Sequence, residues 1–425
     1  MHDYIVGLDI GSSNVYGAVG KVDSSGEIRI IGISAVKCKG LKKSVVVDID
    51  STSQSIRECI NNLERMVDSA INNVYITLPA GVSELIWNKG IVAVSSDDKE
   101  IKESDVIRVI EAARLIPVSS DKEIIGVVPQ QYIIDGYDHI IEPIGMSGMR
   151  LEVDAQVVIA QSTVINNLRK SINRAGLNIV GEVLQQQAIS KSVSKKEELD
   201  MGVAFIDVGS QTTDISIYKS GNLCYTDMVP LGGDNITNDI AICLKIPFVE
   251  AEKLKIKYGD LDSSSLESNL KIRVNAGYDK SVEIELSYLR EIIEARSEEI
   301  LYYVREKLRQ SRCYDEISGV IIIGGGLALF KGINGFAYKV LGKSVKIGSP
   351  QYTGAISPVY ATVVGTIKDV INSLKIDKNM DEFHKSTSSN ENLKSNKKNK
   401  RRNKETEENE EGFISKIKEF FTEFF

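Results

Sequence analysis

Short apolar strands alternate with amphipathic helices from residue 1 to about 375, which is the pattern of an α/β protein. In STSQSIRECINNLERMVDSA, Ile56, Ile60, Leu63, Val67 and Ala70 recur at helical spacing behind Ser/Thr cap candidates, so a helix is predicted there. Val164, Ile165, Leu168 and Ile172 mark a second helix, with Gly176 where a helix end favours positive φ. From Ile376 to Glu411 the apolar positions almost vanish and Asn, Ser, Lys and Glu take over. Such a segment cannot bury enough surface to offset its chain entropy, and a disordered linker is expected. Apolar residues then return in GFISKIKEFFTEFF, residues 412–425. Phe413, Ile414, Ile417, Phe420, Phe421, Phe424 and Phe425 lie on one face of a helix, which predicts an amphipathic element.

The chain has 425 residues, enough for two or three domains. Its net charge of −7 argues against general nucleic-acid binding, which needs a clustered positive surface. The linker changes sign along its length, from Lys397, Lys398, Lys400, Arg401, Arg402 and Lys404 to Glu405, Glu407, Glu408, Glu410 and Glu411, and reads as solvated. Five cysteines with no C-x-x-C pair give neither a disulfide framework nor a zinc site, and are expected as small buried apolar residues. The histidines His2, His139 and His384 have no ligand spacing. The start, MHDYIVGLDIG, lacks a charged segment followed by an apolar one, and no run reaches about 18 apolar residues, so a cytoplasmic chain that does not span a membrane is expected.

One arrangement occurs twice. In YIVGLDIGSSNVYGAVG an apolar strand ends in Asp-x-Gly, passes small polar residues and re-enters a strand; VAFIDVGSQTTDISIYKSG repeats it, with Asp207 and Gly209 in the places of Asp9 and Gly11. Both read as hairpins whose tips carry Gly and hydroxyl residues. Two such tips suit a phosphate chain held between two halves: glycine admits backbone N–H groups, hydroxyls donate, and a strand-end Asp holds Mg²⁺ directly or through water. A third Gly-rich stretch, VIIIGGGLALFKGI, follows a strongly apolar strand, and Gly324, Gly325 and Gly326 are expected to open a helix suited to an adenosine ring or an α-phosphate. No G-x-G-x-x-G follows the first strand. AYKVLGKS nearly matches a P-loop but has Ala337 in place of Gly, and Gly342 ends a helix before a strand, the reverse of P-loop order.

Taken in order, the three loops resemble those of the actin-like ATPase superfamily, and over essentially the whole chain the sequence resembles the FtsA family. VVPQQYIIDG and IEPIGMSGMRLEV resemble the family's extra subdomain, PLGGDNITNDIA with AEKLKIKYG its fourth subdomain, and the terminal helix its membrane-targeting sequence. The resemblance implies an α/β, two-lobed actin-like fold: residues 1–82 and 163–194 in the first lobe, 83–162 inserted, and 195–375 in the second lobe with about 237–305 as its smaller part. It implies ATP and Mg²⁺ as ligands. Asp9, Gly11, Ser12 and Ser13 would form the first phosphate loop; Asp207, Gly209, Thr212 and Thr213 the second, with Gly232 and Gly233 beside it. Glu252 and Lys255 match positions that contact ribose and base, Gly324 to Gly326 the adenosine loop, and Gln185 the place of a water-positioning Glu or Gln, while Asp9 and Asp207 would serve the metal.

Four residues depart from the family pattern the resemblance implies: Asn14 stands where many relatives have Lys, Gln211 where many have Gly, Gln186 where many have Pro, and Gln156, with no obvious chemical consequence, where His is frequent. A neutral Gln185 orients a water but is a poor base, and Asn14 removes a cation from the transferred phosphoryl group, so ATP binding with slow or negligible hydrolysis is expected. The family's role implies a polymer on the cytoplasmic face of the membrane at the division site, tethering FtsZ and meeting other division proteins. Arg290 and Arg296 are candidates for an acidic FtsZ tail, although both also have the spacing to pair with neighbouring glutamates. A pilus-assembly ATPase of the same fold and a small-molecule kinase are the alternative classes; the amphipathic tail speaks against the first, and the second lacks a nominated carboxylate base.

Overall fold

The structure is a computed structural model that describes residues 4–23, 27–262, 270–277 and 280–374. The predicted linker and amphipathic tail, including all seven apolar tail residues, lie outside the described residues.

The chain begins with β1 (Tyr4–Ile10), β2 (Asn14–Val22) and β3 (Ile28–Lys37), then a short hairpin of β4 (Leu41–Lys42) and β5 (Val45–Val46), helix α1 (Ile49–Val67) and β6 (Asn73–Leu78). A second stretch holds β7 (Ser83–Ala93), α2 (Glu103–Arg114), β8 (Lys122–Ile134), β9 (Tyr137–Ile140) and β10 (Arg150–Gln161). The path returns through α3 (Ser162–Arg174), β11 (Asn178–Leu184), α4 (Gln185–Val193) and α5 (Lys196–Asp200). It continues with β12 (Val203–Val208), β13 (Thr213–Lys219), β14 (Asn222–Val229), α6 (Gly233–Leu244), α7 (Phe248–Tyr258), β15 (Lys271–Gly277), β16 (Lys280–Glu285) and α8 (Leu286–Gln310). The described part closes with β17 (Gly319–Ile323), α9 (Ile333–Leu341), β18 (Ser344–Ile347) and a helix over residues 361–374, here α10.

Two sheets share one topology. The first runs β11-β6-β1-β2-β3 and the second β18-β17-β12-β13-β14. In each, three antiparallel strands are followed by two that return parallel to the first. Even the register repeats: Asp9 faces Tyr16 across the first hairpin and Asp207 faces Asp214 across the second. The central strands are near-continuous apolar runs because helices cover both faces; β17, GVIII, is buried from Val320 to Ile323. β3, at a sheet edge, alternates buried and exposed positions instead. Between β6 and α3 the chain builds a separate antiparallel sheet, β7-β10-β8-β9. Helix α2 lies against it so closely that a Cβ on Gly90 would stand 2.0 Å from the Val109 carbonyl oxygen.

Helix α1 buries Ile56, Cys59, Ile60 and Leu63, but it starts earlier than its serines suggest. Its cap is Asp48, whose carboxylate accepts from the Ser51 amide at 3.0 Å, and it ends in left-handed Asp68, which leaves Ala70 outside the helix. Helix α3 buries Ile165, Leu168 and Ile172 and is followed by Gly176 at φ +76°, as the spacing predicts. Gly342, left-handed at φ 69°, ends α9 immediately before β18, which confirms the helix-to-strand order that excludes a P-loop.

Helices α4 and α10 cross where the two sheets join. Asp369 of α10 accepts from Gln187 of α4 at 3.3 Å, and Thr366 shares a buried 2.8 Å hydrogen bond with Thr77 of β6. The crossing is closest at Gly365, where a Cβ would lie 1.9 Å from the Ala188 carbonyl oxygen. In an exposed helix, Gly→Ala stabilises by about 1 kcal/mol. At Gly365 the overlap with backbone reverses the sign, and Gly365→Ala is expected to destabilise by about 1–3 kcal/mol. A urea midpoint equal to or above that of the parent would refute this close packing.

Candidate functional site

Five of the six parallel strands end at one place. Past the carboxyl end of β1 lies Gly11, past β6 Ala80, past β11 Gln185, past β12 Gly209 and past β17 Gly324. Ligands of α/β sheets bind at such ends. The two hairpin tips have the same geometry: Gly11 N–H donates to the Asn14 carbonyl at 2.9 Å, and Gly209 N–H to the Thr212 carbonyl at 2.9 Å. A Cβ on either glycine would meet that same carbonyl oxygen at 3.2 Å. The tip of the β4–β5 hairpin spans both loops. Its Ser44 N–H donates to Ser12 Oγ at 3.0 Å and its Lys43 N–H to Gln211 Oε1 at 2.9 Å, while Gln211 Nε2 reaches Asp234 at 3.3 Å.

Three carboxylates meet between the loops. Asp9 and Asp207 end the central strands of the two sheets, and Asp214 stands across from Asp207 on β13. Burial pushes Asp9 up to about 7, with the charge of Asp207 adding to the rise. Burial likewise raises Asp207 to about 6, against the hydrogen bond from Gln185, and Asp214 to about 8, with Asp207 again contributing. Asp214 Oδ1 is buried without a hydrogen-bond partner. Gln185 is clamped beside them: Ala80 N–H donates to its Oε1 at 2.7 Å and its Nε2 donates to Asp207 at 2.9 Å. The turn after β6 touches the cluster again at Gly81, where a Cβ would stand 2.3 Å from Asp214 Oδ1.

The second lobe's glycines close on this centre. Gly324 is left-handed at φ +83°, and a Cβ there would lie 2.4 Å from Asp207 Oδ1, so only glycine fits. Gly326 donates its N–H to Val208 O at 2.8 Å, and Gly233 donates to Gly209 O at 2.9 Å. Gly325 differs from its neighbours in being exposed. These glycines do not open a helix, contrary to the sequence pattern. Bends and a turn follow them, and α9 starts only at Ile333, because Gly324 and Gly326 are held by contacts with β12 and Gly332 at φ 76° forms the cap. Lys255 is buried and donates to Gly233 O at 3.0 Å and Thr237 Oγ1 at 2.7 Å, with Glu252 2.7 Å away, so this pair braces the head of α6 from behind. Thr213 is buried and donates to Leu231 O at 2.9 Å; Thr212 is buried as well.

Other candidates fall elsewhere. Arg290 pairs with Glu294 at 2.9 Å, and Arg296 pairs with Asp239 at 2.5 Å and with Glu299. Gln186 joins the start of the insertion to β14, donating to Ser83 at 3.1 Å and Thr226 at 3.2 Å. Of the cysteines, Cys38 and Cys59 are buried as expected, but Cys243 is exposed and the fold brings Cys224 and Cys313 to 3.9 Å, a proximity their spacing in sequence hides. A groove of about 530 Å³ lined by Asp50, Arg57, Glu58 and Arg174 shares no residue with the loops. Asp214 went unpredicted because the first hairpin has Tyr16 in its place, so comparing the two repeats conceals it.

Whether Mg²⁺ and a polyphosphate suit this centre is decided by its chemistry. Carboxylates raised by burial and mutual repulsion, one with an orphaned oxygen, are what a divalent cation would neutralise. Among the described residues no three His, Cys, Asp or Glu side chains converge tightly enough to ligate a metal together, so the fit is to a cation held through water.

Two sheets of identical topology meeting at paired Gly-hydroxyl loops define an actin-like fold. Solved structures agree: the PilM-PilN type IV pilus biogenesis complex matches with a TM-score of 0.59 at 17% identity, covering 86% of this chain and 98% of that one. MreB5 of Spiroplasma citri bound to ADP matches at 0.54 and 16%, covering 89% and 99%. Sequence comparison is more specific. The family model for cell division protein FtsA matches residues 204–365, and that for the SHS2 domain inserted in FtsA matches residues 83–159. Cell division protein FtsA of Bacillus subtilis is 37% identical over 377 residues, 88% of this chain and 85% of the relative; that of Pseudomonas aeruginosa is 33% identical, covering 85% and 88%. The chain therefore belongs to the FtsA family of cell-division proteins, and the pilus-assembly and kinase alternatives give way.

A folded-state carboxyl pKa raised above the ordinary 3.8 means that the folded chain keeps protons the unfolded chain has released. The resulting stability is full below about pH 4 and is lost as pH rises through about 6 to 8, the range of the three shifted groups. Without Mg²⁺ or nucleotide, Tm should therefore fall between about pH 5 and pH 8.5. Asp214→Asn should flatten the fall and raise Tm at pH 8 by about 2–4 °C, what ~1 kcal/mol gives in a domain of ~200 residues. Parallel pH profiles for variant and parent would contradict the assignment.

Proposed function

We propose that this chain binds ATP with Mg²⁺ between its two hairpin loops, polymerises through its actin-like body and tethers FtsZ filaments to the cytoplasmic face of the membrane at the division site. The observation that carries the nucleotide reading is the meeting of two equivalent Gly-hydroxyl tips, three raised carboxylates and the glycine run 324–326 at the carboxyl ends of the parallel strands. Gly11, Ser12, Ser13, Gly209, Thr212 and Thr213 would line the phosphate chain, with Gly232 and Gly233 beside it; Glu252, Lys255 and Gly324 to Gly326 would lie on the adenosine side. Asp9, Asp207 and Asp214 would hold Mg²⁺ through water, and the ion would screen the phosphate charge. Gln185, fixed by Ala80 and Asp207, would orient a water but take no proton, so turnover is slow.

The division of the chain into lobes at 1–82 with 163–194, an insertion at 83–162 and 195–375, its smaller part about 237–305, is part of this proposal, as is an acidic FtsZ tail exchanging for Glu294 and Asp239 at Arg290 and Arg296. Anchoring would fall to residues 412–425. No helix among the described residues is long and apolar enough to cross a membrane. A fully buried Phe or Ile contributes roughly 1.5–3 kcal/mol, an interfacial helix delivers only a fraction of that, and many tails on one polymer add avidity.

Gly325 is the glycine to test, since it is exposed while Gly324 and Gly326 pack against β12. Gly325→Val and Asp207→Ala should each abolish ATP binding measured by calorimetry; unchanged affinity in both would sink the site. Phe420→Glu with Phe421→Glu should release the protein, and FtsZ with it, from sedimenting lipid vesicles while leaving ATP binding intact. Continued sedimentation of that variant would refute the anchor.

A further inference from the structure

Asn14, which follows Ser13 in the first loop, is neutral, but a cation stands beside it. Asn14 and Lys37 face each other across β2 and β3. The Asn14 amide turns to Ser13 Oγ at 3.5 Å and to the Tyr16 hydroxyl at 3.2 Å, while Lys37 Nζ donates to the same Ser13 Oγ at 3.3 Å. The backbone fixes this placement, for the next residue, Cys38, donates its N–H to Ser13 O at 2.8 Å. Building on the nucleotide reading above, we propose that Lys37 supplies the cation of the first phosphate loop and contacts the terminal phosphate of ATP.

Four features support it. An ammonium has three N–H donors, of which Ser13 takes one; and because Ser13 Oγ accepts from Lys37, its own O–H is left to donate outward. The adenosine-side residues, Glu252, Lys255 and Gly324 to Gly326, all belong to the second lobe, whereas Lys37 belongs to the first. A phosphate chain running from the second lobe toward the first brings its last phosphate to Ser13 and Lys37. Lys255, the cation at the head of α6, is buried and already shared among Gly233 O, Thr237 and Glu252. Lys37 is exposed and its charge reaches Asp234 at the head of α6, so it stands at the mouth between the loops.

The assignment predicts discrimination, not mere affinity. By calorimetry with Mg²⁺, Lys37→Gln should weaken ATP by about 10-fold or more, what one charge-assisted hydrogen bond is worth, and ADP by less than about 3-fold. Placing the cation at the facing position, in Asn14→Lys combined with Lys37→Gln, should recover most of the ATP affinity, a rescue that a purely structural lysine would not give. Equal losses for ATP and ADP, or no rescue, would overturn it. Unchanged ATP binding in Lys37→Gln while Asp207→Ala abolishes it would refute Lys37 alone; unchanged binding in both would remove the nucleotide reading and the Lys37 assignment with it.

Discussion

Three carboxylates held close together, Asp214 buried and Asp9 and Asp207 half-buried, set the terms for the rest of the molecule. Asp9 and Asp207 are where they are because each lies at the end of the central strand of a sheet. Like charges buried together repel, and an unpaired buried carboxylate takes up a proton sooner than remain ionised. The fold supplies no ion-pair partner for any of the three among the described residues; it offers one amide, Gln185, and leaves an oxygen of Asp214 without a donor. Every neighbouring element accommodates that choice. Gly81 and Gly324 lack the side chains that would strike Asp214 and Asp207, and the loops carry hydroxyl and backbone donors.

Two of the contacts between the lobes differ greatly in strength. At the base, α4 and α10 cross with Gly365 against Ala188 and buried Thr77 against Thr366, a contact that tolerates no added atom. At the mouth, the β4–β5 tip holds the two loops by two backbone-to-side-chain hydrogen bonds, which together are worth about 1–3 kcal/mol. One of these depends on Gln211, a side chain that glycine at the same place would not provide.

Much of this was legible in the sequence. Period-3.6 spacing marks the buried faces of α1 and α3, and repeated Asp-x-Gly marks both hairpins, since local chain chemistry dictates each. What stayed hidden depends on neighbours across strands or across lobes. Asp214 has no counterpart in the first hairpin, Lys37 reaches Ser13 only through the β2–β3 register, and Cys224 meets Cys313 only when β14 lies beside the end of α8. Propensity misled at Gly324 to Gly326: a glycine run after a strand reads as a helix entry, but here tertiary contacts with β12 set the backbone. Asp48 outdid the serines as cap of α1 because its carboxylate reaches both the amide and, at 2.6 Å, the hydroxyl of Ser51.

Gln185 links this geometry to the kind of work proposed. A carboxamide offers two lone pairs and two N–H donors. Ala80 occupies one lone pair and Asp207 one donor, which fixes the plane of the group and leaves one acceptor position and one N–H donor. Orientation without proton removal gives up much of what a general base contributes, typically a factor of 10² to 10⁴. For an enzyme measured by flux that is a defect. For the proposed scaffold it is no loss, and a neutral amide among three acidic groups adds no further charge to a centre that already has too much.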